Sequence, residues 1–190
     1  MTLDWETARA EDIARHVADL RSGTYEGAES RSAREEIFRR AFELTTPVAL
    51  DVLEAVSQSI MRGTGRCVAR SLESDGRNGL WGRWELTWPL LEQSKDRITN
   101  LAMPPVRIAA IYPIEFSHGH LALLRASDPP EPILAWSFQV TDQRDAERQR
   151  PVLWTIAEGE VHERIFRADA NWRVIPESEP PNTWGRIGRA

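Results

Sequence analysis

A chain of 190 residues is long enough for one domain with its own core, and 41% hydrophobic against 28% charged residues excludes a disordered chain. The net charge of −5, divided as −3 over the first 95 residues and −2 over the rest, excludes a basic nucleic-acid-binding surface as the main feature. A single cysteine, Cys67, rules out an internal disulfide and any zinc site built from cysteines.

The spacing of Ile13, Val17 and Leu20, with Trp5 and Ala10 near the same stripe, predicts a helix over 4–21, stopped by Ser22-Gly23. Ser32-Ala33-Arg34-Glu35 has the spacing of a capping box, so a second helix is expected from Ser32 with Ile37, Phe38, Ala41, Phe42 and Leu44 inward. A third is expected from Thr46 as N-cap and Pro47 in the first turn, where a missing N–H costs nothing. Val48, Leu50, Val52, Leu53, Val56, Ile60 and Met61 cover more than half its circumference, which predicts the most buried helix, ended by Gly63 and Gly65.

From about Arg66 the pattern changes to short apolar runs of period two, broken by Gly, Pro and Asp. Strands are expected over 66–72, 80–90, 106–114, 119–126, 133–140, 151–157, 160–167 and 172–175. Trp136, Phe138 and Val140 alternate on one strand, as do Val152, Trp154 and Ile156 on another. Ala157-Glu158-Gly159-Glu160 reads as a hairpin turn, and 143–150 as a charged loop. The expected fold is α+β: three N-terminal helices packed on a largely antiparallel β-sheet or small β-barrel. Segments 1–63 and 64–175 would form one domain, with 176–190 a Pro/Gly-rich tail.

Composition removes several chemistries. Of the 24 basic residues only Lys95 is lysine, the other 23 being arginine, a bias that a GC-rich genome, as in many bacteria, writes by codon usage alone. Lys95 lies in the polar run Glu92-Gln93-Ser94-Lys95-Asp96-Arg97, without the desolvation a Schiff-base lysine needs. No Gly-Lys-Ser/Thr phosphate loop, dinucleotide fingerprint or serine nucleophile elbow occurs. Cys67 has Arg66 and Arg70 near it, which could activate a thiol, but alternation with Val68 makes it a small strand residue. Glu158, Glu160 and Glu163 beside His162 form an acidic cluster that the expected turn would leave solvated.

Two constellations remain. His118-Gly119-His120 on an extended segment turns both imidazoles to one face, and His162 on a neighbouring strand would complete a Zn, Fe or Mn site. The arrangement resembles the histidine pair of cupin-type β-barrel metalloenzymes, though no carboxylate follows the pair before Asp128. The second constellation is aromatic: Trp81, Trp84, Trp88, Tyr112, Trp136 and Trp154 all fall on expected strands, and could wall a groove. The N-terminus carries no signal-peptide pattern and no apolar run is long enough to span a bilayer, so a soluble cytoplasmic protein is expected. The leading expectation is a non-catalytic module without cofactor. It would bind a small apolar ligand or a partner protein through a Trp-lined β surface, with no nucleic-acid or membrane partner and with self-association into a homo-oligomer open. The alternative is a cupin-like metal-dependent enzyme centred on His118, His120 and His162.

Overall fold

Residues 5–74, 79–112, 123–126 and 135–177 are described by the computed structural model. The first helix, α1 (Trp5–Ser22), falls where its period predicts, but its inner face differs. Ala8 and Asp12 are buried while Ile13 is exposed, so α1 docks through polar groups rather than through its apolar stripe.

The two further helices expected between Ser32 and Gly63 are one, α2 (Arg31–Ile60), with Pro47 inside it. Ser30, two residues before the expected cap, accepts the Ala33 N–H at 3.3 Å. Pro47 offers no N–H to the Glu43 carbonyl, yet both residues lie on the exposed side of the helix, where water can reach the orphaned oxygen. Thr46 is therefore no cap. Its hydroxyl donates to the Phe42 carbonyl at 2.8 Å and accepts the Trp84 indole N–H at 3.0 Å.

The sheet has five antiparallel strands in sequence order: β1 (Arg66–Ser74), β2 (Leu80–Thr87), β3 (Val106–Tyr112), β4 (Leu123–Ala126) and β5 (Ala135–Ser137). It is open rather than a barrel, with β1 and β5 as its edges. A short helix, α3 (Pro89–Glu92), follows β2. Gly82, Trp84 and Leu86 of β2 face α2, and a Cβ on Gly82 would stand 2.5 Å from the Phe42 ring. That absence of a side chain lets Phe42 lie flat on Trp84, with centroids 4.7 Å apart and planes at 13°.

Past Ser137 the β-rich region expected to run to 175 is helical. The charged loop is α4 (Gln143–Arg148), capped by Asp142, and the expected hairpin 151–167 is a single helix, α5 (Arg150–Arg167). The expected strand at 172–175 is a 3₁₀ turn, Asn171–Val174. In α5 the buried residues Val152, Leu153, Ile156, Ala157, Glu160, Val161 and Arg164 follow the helical period, and Gly159 is exposed with nothing within 4 Å of its Cβ position. Helices α2 and α5 pack on each other, and both share one hydrophobic cluster with the inner faces of β2 and β3.

Candidate functional site

The six aromatic residues proposed as a groove do not share one wall. Trp84, Trp88 and Tyr112 are fully buried in the core, and Trp136 packs against it half-buried. Tyr112 lies between Tyr25 and Phe38, with centroids at 6.2 and 5.8 Å. Trp81 faces the other side of the sheet, under the Arg83 guanidinium at 4.5 Å. On that side Glu85 accepts from Arg70 at 2.9 Å and from Arg107 at 3.1 Å, so the exposed arginine array is tied down by a buried carboxylate. Trp154 is exposed on α5, because a residue between Val152 and Ile156 that shares their face in a strand leaves it in a helix.

Of the histidines proposed as metal ligands, His118 and His120 lie outside the described residues. His162 is exposed on α5, not on a strand, with its ring edge-on to Phe166 at 4.6 Å. Among the described residues no three His, Cys, Asp or Glu side chains converge as a metal site. Cys67 is no activated thiol: burial and Glu54 push its pKa up to about 11.

Two features that the sequence reading missed stand out. The first is a charged seam under α1. Asp12 receives Arg9 at 3.4 Å, Arg148 at 3.5 Å and Gln149 at 3.5 Å, and Arg15 binds both Asp145 at 3.1 Å and the Gln139 carbonyl at 2.8 Å. The Gln139 amide donates to Asp19, and the Tyr25 hydroxyl donates to the Phe138 carbonyl. Burial pushes the Asp12 carboxyl above the aspartate range despite Arg148, Arg9 and Arg15, and burial likewise raises Glu26. Desolvation also works on Asp145, but the Thr141 hydroxyl and Arg15 outweigh it and hold its pKa low. Buried atoms of Arg15, Glu26, Gln139, Arg148 and Gln149 have no hydrogen-bond partner among the described residues, so the seam is incompletely satisfied.

Opposed shifts give opposed pH dependences. Asp12 and Glu26, raised in the folded state, add stability as pH falls from neutral towards the ordinary carboxylate value of about 4. Asp145, held low, contributes above about pH 4 and loses its contribution below it. The thermal midpoint is therefore expected to rise from pH 7 to mildly acidic pH and fall beyond. In Asp12→Asn the rise should shrink, as followed by circular dichroism; parallel curves for the two proteins would refute the seam's role.

The second feature is at the far end of α5. Trp88 caps α3 and anchors it by donating its indole N–H to the Val174 carbonyl at 2.5 Å. The chain then turns at Asp96, whose carboxylate accepts the N–H groups of Ile98 at 2.8 Å and Thr99 at 3.1 Å. This turn is fastened to the end of α5: Arg97 N–H donates to the Arg167 carbonyl at 2.8 Å, Asp169 N–H to the Lys95 carbonyl at 2.8 Å, and Arg167 pairs with Asp96. With its polar groups consumed in holding the turn, the segment presents Ile98 and Leu101 outward, 75% and 68% exposed. Phe166 on α5, Trp172 on the 3₁₀ turn and Leu90 on α3 are exposed too, so five of the seven large exposed apolar side chains found among the described residues belong to the elements joined at this end. Between α3 and the 3₁₀ turn lies a cleft of about 400 Å³, lined by Leu90, Gln93, Ser94, Asp169, Ala170 and Arg173.

Two polar side chains of that cleft are engaged with backbone. The Ser94 hydroxyl donates to the Leu90 carbonyl at 2.8 Å, and Asp169 accepts the N–H groups of Lys95 at 3.1 Å and Ala170 at 2.8 Å. Leu90 and Ala170 give the cleft an apolar side between these polar groups, a shape that can take a side chain. Trp172 and Phe166 fall in segments whose pattern in sequence suggests strands, so their exposure on a 3₁₀ turn and a helix is not legible there. Comparison with known protein families, curated proteins and solved structures returns no match, so the reading of this site rests on its own residues.

Proposed function

We propose that this protein is a non-catalytic binding module that takes a partner protein on the apolar end formed by Ile98, Leu101, Phe166, Trp172 and Leu90. The observation that carries the reading is the concentration of large exposed apolar groups on the Asp96 turn, α3, the end of α5 and the 3₁₀ turn, elements that hydrogen bonds fasten together. Apolar surface gathered in this way costs solubility and is retained where a partner covers it. The aromatic members give anchors of the kind that dominate interface energetics, and the cleft beside them accepts a side chain of the partner. The ligand is a partner protein, and its site is the α3–α5 end rather than the β surface.

Site-specific photocrosslinking in the cells that make the protein tests it. A photoreactive side chain at Leu101 or at Trp172 should capture the same partner, and one at Ile13, equally apolar and exposed on α1, should not. Ile98→Ser/Leu101→Ser should abolish the capture while leaving the thermal midpoint within about 1 °C, since surface substitutions of this kind change stability little. Different captures from the two patch positions, or the same capture from Ile13, would refute the assignment.

A further inference from the structure

The charges around the patch name the chemistry of its partner, given that the apolar end is a docking surface. Three of its carboxylates, Asp96, Glu163 and Glu92, are paired with arginines, while Asp169 takes only backbone N–H groups and keeps its charge. Asp96 holds the turn and Arg167, and Glu163 also pairs with Arg167, at 3.2 Å. Asp169 holds two backbone N–H groups, and Glu92 pairs with Arg66 at 3.4 Å. Three of its cations are not paired in this way. Lys95, Arg97 and Arg173 are exposed and make no ion pair with any described residue, Arg173 lying only near the Trp172 ring at 5.6 Å. Lys95 and Arg97 flank Asp96 on the strand-like approach to Ile98, and Arg173 stands at the cleft beside Leu90 and Ala170. In a chain of net charge −5, this apolar end thus carries three exposed cations without an ion pair to a described residue, Lys95, Arg97 and Arg173, against the one carboxylate of Asp169 in the cleft.

We infer that the partner docks through an acidic amphipathic segment, with an apolar side chain in the Leu90–Ala170 cleft and carboxylates paired to Arg97, Arg173 and Lys95. Charge complementarity of this sort steers encounter and selects among partners, and guanidinium groups pair carboxylates in a fixed fork. A concave cleft favours a protein side chain over a lipid surface, which is flat on this scale and would leave the cleft empty.

The test is selection of a random peptide library on the full chain, with the Ile98→Ser/Leu101→Ser protein used to discard peptides that bind elsewhere. Peptides that need the patch should be enriched in Asp and Glu beside apolar residues. Their affinity should fall about tenfold in Arg97→Glu or Arg173→Glu, and should weaken as salt is raised. Patch-dependent peptides of neutral or basic composition would overturn the acidic partner while leaving the docking surface standing. Binding of anionic phosphatidylglycerol vesicles through the same residues, with no patch-dependent peptide, would overturn it in favour of a membrane. If neither peptides nor vesicles depend on Ile98 and Leu101, the docking surface itself falls.

Discussion

Trp84→Ala is expected to lower the unfolding free energy by about 3–5 kcal/mol, read as a reduced urea midpoint. The indole is wholly buried, stacks on Phe42 at 4.7 Å and donates to Thr46, so β2 loses two contacts with α2 at once. Alanine leaves a cavity between α2 and the sheet that Gly82, having no side chain, cannot help to fill. Trp84→Phe separates the contributions. It keeps an aromatic face for Phe42 but abandons the Thr46 bond, and should cost less than the alanine change by at least about 1 kcal/mol. Equal losses from the two substitutions would mean that the hydrogen bond to Thr46, not the packing, fixes the helix on the sheet.

The second large effect is expected at Glu160→Ala, at about 3–5 kcal/mol. Glu160 and Arg164 are both buried on α5, 2.7 Å apart, and Arg164 also donates to the carbonyls of Pro104 at 3.0 Å and Pro105 at 3.1 Å. Glu160 further accepts the Arg107 N–H at 3.3 Å, so the pair ties the helix to the start of β3. Removing the carboxylate leaves the enclosed guanidinium with only the half-exposed Glu163, at 3.8 Å, as counter-charge, which is where the cost arises. Replacing both by apolar residues, as Glu160→Leu/Arg164→Met, should restore most of the loss in the same urea measurement. A double variant as unstable as the single one would show that the carbonyl contacts of Arg164, rather than its charge, are what α5 needs.

That pair also explains why α5 was not legible as a helix. Val152, Leu153, Ile156, Ala157 and Val161 follow the helical period, but the next positions on the face, Glu160 and Arg164, are charged. A pattern method sees the stripe end where the protein instead buries an ion pair, and the local alternation of Val152, Trp154 and Ile156 then suggests a strand. Residues of α1 mislead in the opposite way. Its apolar stripe is genuine in sequence, yet Asp12 and Arg15 make the contacts that hold it. Pro47 suggests a beginning in sequence because a proline in the first turn is favourable, whereas a solvent-facing position makes an interior proline tolerable in α2. The antiparallel character of the sheet and the buried face of the helix after Pro47 were legible because both rest on apolar periodicity alone. The patch at Ile98 and Leu101 was not, since exposure depends on the turn that Asp96 closes.

The charged seam has a consequence for the order of assembly. Helix α2 and strands β1 to β3 are neighbours in sequence and meet through local contacts, the kind that form early. The partners of α1 lie far downstream, Arg15 reaching Asp145 across 130 positions and Gln149 reaching Asp12 across 137. On the ribosome α1 is thus made before α2 and the sheet yet is seated after them, waiting with its acidic and basic side chains in water until Asp145 and Arg148 have emerged.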